Sequence, residues 1–127
     1  MQFVTPSTVS TPKGHYSPAV VHNGIVYVAG QLPINANGEV KLESIAAQTA
    51  LGLHNLEQIL IAANSSLQHI LKVNVLVSDI TLWPDINAGY SKITGGHKPA
   101  RIVIPCNALK YGCGVEIDCI AAVNEPG

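Results

Sequence analysis

The stretch AVVHNGIVYVAG, residues 19–30, decides the fold class. Two apolar, β-branched runs, Ala19–His22 and Ile25–Gly30, flank Asn23-Gly24. Asn-Gly between such runs is the strongest short-range sign of a β-hairpin, because both turn residues need positive φ. Downstream, Asn35-Ala36-Asn37-Gly38 marks another turn, and from Ser44 the period changes. Ile45, Thr49, Gly52, Leu53, Leu56, Ile59, Leu60 and Ala63 recur at helical spacing until Asn64-Ser65-Ser66 stops the run. Leu71, Val73, Val75 and Val77 then alternate with Lys72, Asn74 and Leu76, which predicts a strand with one dry face. A second helix carries Pro84 in its first turn, where a missing N–H costs little, with Trp83, Ile86, Tyr90 and Ile93 as its apolar stripe. Ala100–Ile104, with Ile102-Val103-Ile104 as a buried run, and Val115–Val123 are the remaining strands.

The order ββ-α-β-α-ββ gives an α+β fold in which two helices cover one face of a sheet. The other face inherits Val26 or Ile25, Leu76, Ile120 and Ala122 beside Lys72, Asn74, Glu116 and Asp118. Such a face is too apolar for open water and too charged for a simple core. It predicts a homo-oligomer whose subunit interface also houses the polar function.

At 127 residues the chain reads as a single domain, 1–127. A formal net charge of −1 offers no footprint for nucleic acid, which needs a basic patch. The N-terminal MQFVTPSTVSTPKGHYSP is polar and broken by prolines, unlike a secretory signal, and no apolar run is long enough to span a bilayer. Cys106, Cys113 and Cys119 are odd in number and lack a Cys-x-x-Cys pair, as thiols of a reducing compartment do. A cytoplasmic protein is expected, with an organelle as the alternative.

Five positions draw attention for chemistry. Arg101 stands at the mouth of a strand behind Pro99, with a planar fork suited to carboxylate or phosphate; the plainer role is pairing with a surface acid. Glu116 alternates with Val115 and Ile117 and points to the uncovered face, where half-burial would raise its pKa; the plainer role is an ion pair with Lys72 or another lysine across the sheet. Tyr16 follows Gly14-His15 at the lip of the hairpin, with His15 beside it able to titrate near neutrality. Cys119 shares the face of Ile117 and Ala121 and reads as core. His22, His54, His69 and His97 have no zinc spacing, so no metal is expected. Gly112-Cys113-Gly114 reads as part of a hairpin, and no dinucleotide or phosphate-loop motif is present.

GHYSPAVVHNGIVYVAGQLPI, SSLQHILKVNVLVSDI, INAGY, HKPAR and GVEIDCIA, taken together and in this order, resemble the RidA/YjgF family, also called the YER or endoribonuclease L-PSP group. The resemblance runs from Gly14 to Ala122. It implies a chorismate mutase-like fold: a mixed six-stranded sheet with two helices, three chains forming a central β-barrel. It implies an imine deaminase, hydrolysing 2-iminobutanoate and 2-iminopropanoate or their enamine tautomers to 2-oxo acids and ammonia, without metal or cofactor. Arg101 matches the arginine that grips the substrate carboxylate, and Glu116 the acid that helps place the water. Tyr16, Gly30, Asn87 and the backbone at Val103 match positions lining the same cleft between subunits. Three positions depart from the family pattern: Val103 replaces a frequent cysteine, His15 a usual proline, and Ile93-Thr94-Gly95-Gly96 an aromatic pair. The alternatives are a non-catalytic module that binds 2-oxo acids, and a ribonuclease or translation inhibitor, which the charge disfavours.

Overall fold

The structure, a computed structural model, describes residues 1–124, so the last three residues of the 127-residue unit lie outside it. Its chain order is β1 (Gln2–Val4), β2 (Ala19–His22), β3 (Ile25–Gln31), α1 (Ile45–Ala62), β4 (Ile70–Val77), α2 (Trp83–Thr94), β5 (Ala100–Pro105) and β6 (Val115–Ala122). The strands form one sheet in the order β1-β2-β3-β6-β4-β5, antiparallel except for the parallel pair β4 and β5. This is the expected six-stranded mixed sheet with two helices. The hairpin turns on Asn23 and Gly24, with φ of 51° and 76°, as a tight β-turn between twisted strands requires.

Helix α1 starts where the Ser44 hydroxyl accepts the Ala47 N–H at 3.2 Å. It stops at Asn64, whose φ of 60° is a left-handed conformation that asparagine tolerates. Leu53, Leu56, Ile59 and Leu60 of α1 and Ile86 of α2 pack on Val26, Val73, Val75, Val115 and Ile117 of the sheet, all fully buried. Two buried amides fasten α1 to neighbouring backbone. Gln48 Oε1 accepts the Gly114 N–H at 2.9 Å, and Asn55 donates to the carbonyls of Leu32 and Ile34 at 3.3 and 2.8 Å. The helices meet at Gly89, where a Cβ would lie 2.7 Å from the Ala46 carbonyl oxygen.

Several expectations change. The prolines of the N-terminal segment leave room for strand β1, three residues paired to β2. Leu71 sits in a register shift of β4 and is exposed, while Ile70 takes the buried position. Ile93 is exposed because Gly89 and Thr94 occupy the buried side of α2. Strands β5 and β6 are separated by β4, so Gly112-Cys113-Gly114 belongs to a connection across the sheet end rather than to a hairpin. Strand β5 is the sheet edge: Ile102 and Ile104 are exposed and only Val103 is half-buried. The face away from the helices carries Ile25, Leu76, Ile120 and Ala122 beside Lys72, Asn74, Glu116 and Asp118, all half-buried, while Val26 belongs to the core.

Candidate active site

The register sorts the candidate residues into two groups. Arg101 and Val103 pair with Val73 and Val75, so their side chains stand on the helix-covered side of the edge strand. The Arg101 guanidinium lies 4.7 Å from the ring centroids of both Trp83 and Tyr90. Its Nη1 donates to Asn87 Oδ1 at 3.4 Å. Two aromatic faces and one amide thus orient the only arginine of the sequence. No carboxylate pairs with it among the described residues. The remaining donors of the fork are free, since Arg101 is exposed. Burial pushes the Tyr90 phenol up, against an opposing pull from the Arg101 charge, and its hydroxyl has no hydrogen-bond partner.

Glu116 belongs to the second group. It pairs with Leu76 and so stands on the uncovered face. A register shift between Val28 and Gln31 places Gly30 directly beside it: a Cβ on Gly30 would lie 2.7 Å from Glu116 Oε2. Only a residue without a side chain lets the carboxylate lie there. Half-burial, and then the neighbouring Asp118 charge, raise the Glu116 pKa, with Lys110 opposing. A carboxyl held up in this way keeps its proton to higher pH than an ordinary glutamate and can donate it. The expected alternative, an ion pair with Lys72, is not formed; the ion pair among the described residues joins Lys41 and Glu39.

Within one chain these groups do not meet. Arg101 lies in the row of Val73 and Cys119, and Glu116 in the row of Leu76 and Ile104. The separation is about 10 Å along the strands and about 10 Å across two strands, on opposite faces.

Of two cavities, Arg101 lines one and Tyr16 the other; Glu116 and Gly30 line neither. One of about 390 Å³ is lined by Asn87, Tyr90, Ser91, Thr94, Gly95, His97, Lys98, Pro99 and Arg101. The other, about 170 Å³, includes Tyr16, Lys13, Lys110, Tyr111, Ser10 and Thr11 in its lining. Tyr16 is exposed there, and Tyr111 holds a left-handed φ of 62°. Four of the seven lysines and arginines line these two cavities and none of the acidic residues among the described ones does, in a chain of net charge −1. Both concavities therefore favour anions. His15 is exposed and does not line either cavity. Cys113 and Cys119 are buried, with the Cys119 thiol pushed up to about 12 by burial, and Cys119 is core as expected. Trp83 and Tyr90 stand two helical turns apart, which puts both rings on one face of α2; that this face meets Arg101 follows from the packing of α2 beside β5 and not from the spacing. His97 and Lys98 carried no sequence sign beyond adjacency to Arg101.

The model of the family described as Endoribonuclease L-PSP matches residues 7–123. The chain belongs to this family. Protein HMF1 of Saccharomyces cerevisiae is 35% identical over 110 residues, 87% of this chain and 85% of that protein. The mitochondrial protein mmf1 of Schizosaccharomyces pombe is 35% identical over 124 residues, 92% of this chain and 76% of that protein. Among solved structures, E. coli TdcF with bound serine superposes with a TM-score of 0.91 at 25% identity, covering 98% of this chain and all (100%) of that one. The family match takes in strands β2 to β6 and both helices.

Proposed function

We propose that this chain is a 2-imino acid hydrolase whose site is completed between subunits of a homotrimer with a central β-barrel. The observation that carries the reading is Arg101, clamped by Trp83, Tyr90 and Asn87 in a concavity without carboxylates. It docks the substrate carboxylate, helped by the backbone at Val103. Glu116 beside Gly30, with Tyr16, comes from the neighbouring subunit, because one chain cannot bring it to Arg101. The imine carbon is electrophilic once its nitrogen is protonated, so the site orients the acid, holds a water and moves protons rather than supplying a nucleophile. Glu116 takes a proton from the water as the C–O bond forms. It returns that proton to nitrogen and takes up the hydroxyl proton as the C–N bond breaks and the C=O bond forms, releasing ammonia and a 2-oxo acid. A serine bound to E. coli TdcF supports a small amino acid-like ligand. None of these steps calls on a metal or cofactor.

The test is coupled turnover of 2-aminoacrylate or 2-iminobutanoate. Wild-type protein accelerates hydrolysis and Arg101→Ala does not; hydrolysis at the spontaneous rate with wild-type protein sinks the enzyme. A second reading, a 2-oxo acid binding module, is favoured by Val103 at the position where the family often has a thiol. It predicts thermal protection by 2-oxo acids without turnover. The ribonuclease reading has the family's description in its favour and the net charge of −1 against it. A cytoplasmic location is our reading, with mitochondria the alternative suggested by mmf1. No helix among the described residues is long and apolar enough to cross a membrane.

A further inference from the structure

The cavity at Arg101 is larger than a short imino acid needs. Six or seven non-hydrogen atoms, even at the roughly 30 Å³ a liquid water takes, fill only about half of it. The cavity, about 390 Å³ in all, runs from Arg101 past Ser91 and Thr94 to His97 and Lys98. Its mouth is open: a Cβ on Gly95 or Gly96 would meet nothing within 4 Å. The His97 Nε2 lies 2.9 Å from the Ile70 carbonyl oxygen. A carbonyl only accepts, so Nε2 carries the hydrogen and Nδ1, an acceptor in that tautomer, has no partner among the described residues. Lys98 is exposed and forms no ion pair among the described residues. The far end of the groove thus holds a free ammonium with no carboxylate among the described residues to neutralise it; the Ser91 hydroxyl donates to the Asn87 carbonyl at 2.9 Å, and the His97 Nδ1 can only accept.

We propose that this end receives the side-chain carboxylate of an acidic substrate: a 2-imino acid derived from a dicarboxylic amino acid. Its main carboxylate docks on Arg101 and its distal one at Lys98. The proposal rests on the hydrolase reading for the reaction but not for the binding preference. Neutral short acids leave the distal charge solvated; an acidic side chain gains a charge-assisted hydrogen bond.

Calorimetric titration with two stable 2-oxo acids, 2-oxoglutarate and 2-oxobutanoate, decides the matter on the full-length protein without any turnover. The wild type binds 2-oxoglutarate more tightly. The ratio of the two dissociation constants shifts against 2-oxoglutarate by about threefold to tenfold in Lys98→Ala, and further in Lys98→Glu. Lys92→Ala removes the same charge from α2 outside the cavity and keeps the ratio. An equal or opposite wild-type preference overturns the proposal, as does a ratio that Lys92→Ala moves as far as Lys98→Ala. Failure to hydrolyse any imine sinks the hydrolase reading alone, because the binding ratio is read independently.

Discussion

Position 101 needs more than a positive charge. Lysine there keeps the charge but loses both the planar fork and the stack between Trp83 and Tyr90. Arg101→Lys is expected to lose about tenfold to a hundredfold in kcat/KM on 2-iminobutanoate, the worth of one or two charge-assisted hydrogen bonds. Wild-type kinetics in that variant would remove the carboxylate clamp from the account. Glu116 makes a prediction in the opposite direction, on stability. Its folded-state pKa is raised, so the folded chain holds the proton more tightly than the unfolded one. Stability from this group is full below the ordinary value of 4.5 and falls as pH rises through the raised one. Glu116→Gln should therefore melt above wild type at pH 7 and with it at pH 3.5, while losing turnover. A Tm difference independent of pH contradicts the burial of this carboxyl. Among the thiols, Cys106 is half-buried and Cys113 and Cys119 are buried, so one equivalent of iodoacetamide per native chain is expected; rapid labelling of three would show a looser core.

At the scale of elements, two glycines separate packing from chemistry. Alanine at Gly89 presses on the backbone of α1, which cannot move aside without parting the helices. Gly89→Ala is expected to cost about 1–3 kcal/mol in chemical denaturation. Alanine at Gly30 meets the far end of a flexible side chain, Glu116. Gly30→Ala should therefore leave Tm within a few degrees and reduce turnover; a large loss of Tm without loss of turnover contradicts the pairing. The elements themselves were readable wherever periodicity was long. Asn23-Gly24, the repeat from Ile45 to Leu60 and the alternation in β6 each point to one structure. Strand β1 was not readable, since three residues give no period and Pro6 sits two residues beyond it. Leu71 and Ile93 were misplaced because a bulge and a glycine contact shift which residue faces inward. Arg101 stood out as the lone guanidinium before a strand. That it and Glu116 lie on opposite faces depends on strand order and register, which local sequence does not contain.

For the whole molecule, the uncovered face and the unpaired edge of β5 present Tyr27, Ile102 and Ile104 to solvent beside half-buried Leu76 and Ile120. A face of this composition is expected to be closed by copies of the chain. Sedimentation should return three times the 13.4 kDa chain mass, and Leu76→Asp should lower that mass and the turnover together. The central claim is that Arg101 of one subunit works with Glu116 of another. It is tested most directly by mixing inactive Arg101→Ala and Glu116→Gln chains, denaturing and refolding them together, and measuring 2-iminobutanoate hydrolysis. Random assembly at equal amounts restores about a quarter of the sites, those that draw both intact groups from different chains. A mixture that exchanges subunits yet stays as inactive as its parents contradicts the account.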